Sequence, residues 1–177
     1  KIAEDSKYAN NPVIKAEIAA LKNLAKAPPK TAYEVMLFQL LFFYYGEHLD
    51  HLQVRSLGNW DRLLKPYYEA DIAAGRTTRE EFKNFVKHFW WQWGSLDNWW
   101  GQPVYIGGTK ADGTTEYNEV SRIVLEVVDE VHVPTPKLQM KIAPNTPDDI
   151  LSKALEVIHF VLLQPLYYRP QKVNFLK

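Results

Sequence analysis

The pattern of apolar positions, with its caps and stops, marks six helical stretches in this 177-residue chain and one in which apolar and polar residues alternate. In the first, Val13, Ile14, Ile18, Leu21 and Leu24 share one face, Asn11 can cap and Pro12 suits the first turn, so the pattern predicts a helix over 11–26 that Pro28 and Pro29 end. Thr31-x-x-Glu34 has the form of a capping box and opens a second helix to about residue 47. That helix is apolar nearly all round, which predicts burial between layers. Residues 51–57 read as a short extended segment closed by Gly58-Asn59, and a helix over 60–74 follows with Gly75 as its stop. Thr78-x-x-Glu81 opens the next helix, whose stripe of Phe82, Phe85, Val86, Phe89, Trp90 and Trp93 predicts aromatic core packing.

Residues 101–108 read as a strand, and Ala111-Asp112-Gly113 as a turn behind it. Asn118 is placed to cap a helix over 119–130. Pro134 and Pro136 force an extended approach to a strand over 137–143, where Leu138, Met140 and Ile142 alternate with Lys137, Gln139 and Lys141. Thr146-Pro147-Asp148-Asp149 then starts a helix to about residue 159, and the remainder has no clear period. Extended segments separated by helices predict an α/β arrangement in one unit over 1–177, since neither a repeat nor a linker divides the chain.

Composition narrows the chemistry. With no cysteine, these residues supply no disulfide, no thiolate nucleophile and no cysteine-ligated zinc or iron–sulfur site. Equal numbers of basic and acidic residues, 21 each, leave no net field to draw the chain to nucleic acid or an anionic membrane. The longest apolar run is too short to span a bilayer and no secretory leader opens the chain, so the expectation is a soluble, cytoplasmic protein without nucleic-acid or membrane partners. Its first residue is Lys rather than Met, which fits a processed or excised chain.

Four residues stand out as substrate-binding candidates. Trp100, with Trp99, lies off the aromatic helix just before a strand, where a large ring can wall a pocket; Gln102 can offer an amide there. Gln53 and Arg55 alternate along the extended segment and share a face, and an inward Arg fork suits a carboxylate, sulfonate or phosphate. The alternative for each is plain packing or a solvated strand face. His48 and His51 have the spacing of a metal pair, but a third ligand is not evident, and a solvated helix end is the simpler reading. Gly107-Gly108 is followed by a turn rather than a helix and does not make a dinucleotide fingerprint.

Three segments together resemble the pyruvate formate-lyase or glycyl radical enzyme superfamily. Pro28-Pro29-Lys30-Thr31-Ala32-Tyr33-Glu34-Val35 resembles the family's PPxTFxEAL helix start, and residues 55–71 resemble SxGRxDQxLYPYYxxD. Residues 102–121 resemble QxxTxGGxxxDGxxxxNELS, followed by PxLxxRxxxxTPxxxLxKAxE over 136–156. Order and spacing agree over about 28–158. The resemblance implies part of a ten-stranded α/β barrel, helices outside a half-barrel, from a lyase or formate acetyltransferase-like transferase of anaerobic metabolism. Such enzymes store a radical on a glycine, installed by a separate S-adenosylmethionine iron–sulfur activase. A cysteine relays it to cleave a C–C, C–O, C–N or C–S bond of a small substrate.

This chain contains neither that cysteine nor the radical glycine loop, so the resemblance implies no catalytic residue and no bound cofactor here. The expectation is therefore a barrel segment inactive by itself, associated with the missing portion or with a second copy. The alternative is a binding module using Trp99 and Trp100 for an aromatic or sugar ligand. Diol-dehydratase-like members carry His-Ser where this chain has Gln53 and Val54, which turns the expectation away from diols and toward anionic substrates.

Overall fold

The structure is a computed structural model, and it describes residues 10–49, 51, 56–95, 102–133 and 135–163, the side chains of 48 and 159–163 excepted. Among them are six helices and three strands. In chain order these are α1 (Pro12–Leu24), α2 (Ala32–His48), β1 (Gly58–Asn59), α3 (Trp60–Ala73), α4 (Arg79–Ser95), β2 (Pro103–Gly107), α5 (Glu119–Val131), β3 (Lys137–Lys141) and α6 (Asp148–Leu163). The strands form one parallel sheet in the order β1-β2-β3. Two helices connect the first pair of strands and one connects the second, as parallel pairing requires.

Local chemistry accounts for most helix starts. The Asn11 side chain accepts from Val13 N and Ile14 N, and Thr78 and Glu81 complete a reciprocal box, Glu81 N to Thr78 Oγ1 at 3.2 Å and Thr78 N to Glu81 Oε2 at 2.8 Å. The box at α2 is only half made. Thr31 Oγ1 accepts from Glu34 N, but the Glu34 carboxylate reaches past Thr31 to Lys30 N at 2.6 Å and Asn23 Nδ2 at 3.0 Å, so this buried acid joins α2 to the end of α1. At α5 the partner of Asn118 is Ser121, whose hydroxyl accepts from Asn118 N at 3.0 Å.

Two expectations shift. The paired residues of the first strand are Gly58 and Asn59, read from sequence as a closing turn: they lie opposite Val104 and Tyr105, and Leu57 N donates to Pro103 O at 2.9 Å. Gly58 supports this with φ +75°, a backbone setting that costs glycine little. Helix α2 is not buried on every side, because Phe38, Phe42, Tyr45 and Leu49 form an exposed apolar stripe on it. Only the face with Ala32, Val35, Met36 and Phe43 enters the core.

That core fills the space between one face of the sheet and the helices. Val104 and Ile106 of β2 meet Trp60 and Leu64 of α3, Val120, Ile123, Val124 and Val127 of α5, and Ile150 of α6 in one cluster. The aromatic stripe of α4 packs as its period predicts, with Trp60 stacked on Phe89 at a centroid distance of 5.0 Å and edge-on to Trp90 at 5.2 Å. Trp60 Nε1 donates to Gln39 Oε1 at 2.7 Å; the buried indole nitrogens of Trp90 and Trp93 make no hydrogen bond among the described residues.

A ladder of ion pairs joins α4 to α5 on the outside of this layer. Arg79 contacts Glu119 and Glu126, Lys83 bridges Glu126 and Glu130, and Lys87 reaches Glu130. Hydrogen bonds from Arg79 hold the Glu126 carboxyl below its ordinary value, and those from Lys83 do the same for Glu130. A depressed carboxyl contributes stability that is complete above its unfolded value and lost as pH falls through the folded one. The double variant Glu126→Gln/Glu130→Gln is therefore expected to lose roughly 0.5 to 1 kcal/mol per pair at neutral pH. Urea titrations should show this deficit shrinking in acid and in high salt; a deficit unchanged by either would contradict the assignment.

Candidate functional site

The helices cover one face of the sheet, and the other is open among the described residues. Along β2 the buried side chains are Val104 and Ile106, while Pro103 and Tyr105 between them are only half-buried. Register carries the same face across the sheet: Asn59 lies opposite Tyr105, Tyr105 opposite Gln139, Pro103 opposite Lys137, and Gly107 opposite Lys141. In β3 the alternation expected from sequence holds for Lys137–Lys141, with exposed Lys137, Gln139 and Lys141 against half-buried Leu138 and Met140. A parallel sheet with both faces buried is apolar on both. This one presents amide, phenol and ammonium groups on its open side, and its three strands contain no acidic residue.

Lys141 organises that side. Its ammonium donates to Asn59 Oδ1 on β1 and passes 5.6 Å from the centre of the Tyr105 ring on β2, spanning all three strands. Its stem runs past Gly108, whose absent Cβ would sit 3.4 Å from Lys141 Cδ.

The end of β2 is fixed from behind by a buried carboxylate. Asp61, fully buried in the first turn of α3, accepts from Gly107 N at 2.7 Å and from Ser121 Oγ at 2.6 Å through Oδ2, and from Arg62 N at 2.7 Å through Oδ1. Burial pushes its carboxyl above the ordinary value, outweighing the hydrogen bonds from Ser121, Gly107 and Arg62 that act the other way. Gly107 has φ +72°, and a Cβ there would fall 2.0 Å from Tyr117 Cζ. The ring of Tyr117 therefore lies where a side chain would be, and its hydroxyl donates to Lys141 O at 3.3 Å.

The loop after β2 is equally determined. Asp112 accepts from Thr114 N and Oγ1, Lys110 N donates to Thr114 O, and Asn145 of the β3–α6 connection bonds both Thr109 and Gly113. The Gly-Gly and Asp-Gly positions thus set β2 against β3 and α5.

Of the four candidates from sequence, Gln102 is described and Gln53, Arg55 and Trp100 lie outside the described residues, as does Trp99. Gln102 has the parity of Val104 and Ile106. It is buried, its Nε2 donates to Glu47 Oε1 of α2 at 2.5 Å, and its Oε1 has no hydrogen-bond partner among the described residues. It ties the end of α2 to the start of β2 on the helix side. Among the described residues no group of three or more His, Cys, Asp or Glu is placed to hold a metal ion, and no helix is long and apolar enough to cross a membrane.

Asn59, Tyr105 and Lys141 were not singled out in the sequence. Alternation places Lys141 opposite the apolar set of β3, but the register that joins it to Asn59 is set by pairing across more than eighty residues of chain. A second concave feature, an apolar groove of about 470 Å³, lies at the outer edge of β3 between α5 and α6, lined by Leu125, Met140, Leu151, Leu155 and Ile158 among others.

This arrangement, a parallel sheet backed by helices and faced with polar groups, is the fold of a portion of a glycyl radical enzyme barrel. A solved glycyl radical enzyme from Archaeoglobus fulgidus superposes with a TM-score of 0.74 at 24% identity, covering 88% of this chain and 22% of that one. The chain belongs to the pyruvate formate lyase-like family, whose model matches residues 6–173. It is similar to the 4-hydroxyphenylacetate decarboxylase glycyl radical subunit of Clostridioides difficile, 27% identical over an alignment of 152 residues that covers 78% of this chain and 17% of the relative. It is also similar to trans-4-hydroxy-L-proline dehydratase of the same species, 26% identical over an alignment of 133 residues that covers 66% of this chain and 16% of the relative. The chain thus spans about a sixth of the length of the curated relatives it matches.

Two substitutions test the support behind β2. Asp61→Ala strands the Gly107 amide and the Ser121 hydroxyl and is expected to cost about 3 kcal/mol or more in urea unfolding. Asp61→Asn keeps the size but cannot ionise. Because burial raises the folded value, the native state keeps this proton to higher pH than the unfolded chain, and the contribution of Asp61 declines as pH rises from the unfolded value through the folded one. Wild-type stability minus that of Asp61→Asn should fall with pH across that window; a flat or rising difference would contradict it. Gly107→Ala combines strain at positive φ with collision against Tyr117 and should cost about 3 kcal/mol or more, read from the same unfolding curves.

Proposed function

We propose that this chain is part of the barrel wall of a glycyl radical lyase acting on a small organic acid, with the open face of the sheet turned to the reaction chamber. The observation that carries the proposal is that face: Asn59, Tyr105, Gln139 and Lys141 are presented on strands that hold no acid, while the core of the described residues lies behind them. The curated relatives support the substrate class, since both are named for acids, 4-hydroxyphenylacetate and trans-4-hydroxy-L-proline.

In this role the chain binds and orients substrate and keeps water from the chamber; bond cleavage belongs to residues it does not carry, because its 177 residues include no cysteine for a thiyl relay. The glycyl radical, installed by an S-adenosylmethionine iron–sulfur activase, supplies the hydrogen-abstracting chemistry of the complete cytoplasmic enzyme. Gln53, Arg55 and Trp100 remain the further substrate-binding candidates of the chain, and Gln102 supports the wall through Glu47. The edge of β3 and its apolar groove receive the rest of the barrel, supplied by the complementary portion or through association with a second copy.

Reconstitution tests this reading. The chain is co-expressed with a polypeptide carrying the thiyl cysteine and glycine loop of a related glycyl radical enzyme, then treated anaerobically with activase and S-adenosylmethionine. The two should co-purify, and lyase turnover should require both. Turnover by the isolated 177-residue chain, or failure of the two to associate, would overturn it.

A further inference from the structure

The open face has one cation whose surroundings point to a ligand. Lys141 forms no ion pair among the described residues, whereas Lys83, Lys87 and Lys153 on the helices each contact carboxylates. Its ammonium has three donors, and Asn59 Oδ1 takes one. That bond also fixes the Asn59 amide, because only its oxygen can accept from an ammonium; the Nδ2 donors, which have no partner among the described residues, are left beside the cation. Ammonium and amide donors side by side match the two oxygens of a carboxylate. The ring of Tyr105 beneath them offers an apolar surface to the body of the molecule that carries it.

We propose that Lys141, held by Asn59 and Tyr105, is the specificity-determining residue for the carboxylate of a small planar acid. This deepens the barrel-wall reading, on which it rests, by naming the group that recognises the substrate's charge. A role limited to cross-strand bracing would use the same Asn59 contact, but it predicts no preference between an acid and its neutral analogue. Recognition predicts a strong one, because the charge-assisted pairs form only with the ionised ligand.

The test is binding to the 177-residue chain, followed by amide and side-chain NMR with phenylacetate and with phenylacetamide as its neutral analogue. Phenylacetate should shift the Asn59 and Tyr105 signals with a Kd of about a millimolar, weakening with salt, and phenylacetamide should bind at least about tenfold more weakly. Lys141→Met should weaken phenylacetate binding about tenfold or more, while Lys141→Arg retains it. Lys141→Gln gives the same reading if the Met variant does not fold. Equal affinity for the acid and the amide, undiminished binding in the Met or Gln variant, or no shift up to about 50 mM would each overturn the proposal. Since the measurement involves neither radical nor partner, its failure leaves the barrel-wall reading in place. Failed reconstitution with acid binding intact would instead remove the lyase and keep the site.

Discussion

One buried carboxylate holds the working parts in register. Among the described residues the hydrogen-bond donors on Asp61 are neutral, two backbone amides and one hydroxyl, so its desolvation is offset in part by geometry rather than by a counter-charge. These donors come from the start of α3, the end of β2 and the start of α5. Ser121 is shared: its hydroxyl donates to Asp61 while accepting from Asn118 N, so the helix cap and the sheet anchor are one network. Through Gly107 and Tyr117 the same network reaches the backbone of Lys141 on β3. The position of the cation on the open face therefore depends on an acid buried on the other side of the sheet.

The sheet is one-sided for a related reason. Each strand alternates, and the apolar set of β2 and β3 meets a helix layer rich enough in aromatic residues to fill the space behind it. The opposite set is polar, which would be costly if the face were covered by a second apolar layer. Unfinished burial remains elsewhere among the described residues: the exposed stripe of Phe38, Phe42 and Tyr45 on α2 with Leu49 at its end, and the groove beside the edge of β3. An open polar face and an open apolar edge, both among the described residues, accompany a match to about a sixth of each relative's length.

What was legible in the sequence was what local chemistry decides. Asn11, Thr78 with Glu81, and Asn118 act as caps because the groups they satisfy lie within three residues of them. The stripe of α4 is core for the same periodic reason. Long-range choices were hidden. Glu34 left its expected partner for Asn23 and Lys30, β1 formed at residues that look like a turn, and Asp61 resembles an ordinary first-turn acid until its partners 46 and 60 residues away are known. The family resemblance had marked the Gly-Gly, Asp-Gly and Asn-Glu-Val-Ser positions as a unit. The structure gives the cause: they place Tyr117 over Gly107, secure the loop through Asn145 and deliver Ser121 to Asp61.

Charge shows the limit of composition most directly. Twenty-one acidic and 21 basic residues cancel over the chain, which leaves no net field toward nucleic acid or an anionic membrane. The cancellation is uneven in space. Glu119, Glu126, Glu130, Asp129 and Asp149 are engaged by Arg79, Lys83, Lys87, Arg122 and Lys153 on the helix layer, where their fields largely cancel in pairs. The strands carry no acid and Lys141 has no ion pair among the described residues, so the open face keeps a local positive field that the total conceals. A field confined to one face of a sheet is too local to concentrate a polyanion, yet it extends about a Debye length, roughly 8 Å at physiological salt, which is the scale of a small carboxylate bound against the strands.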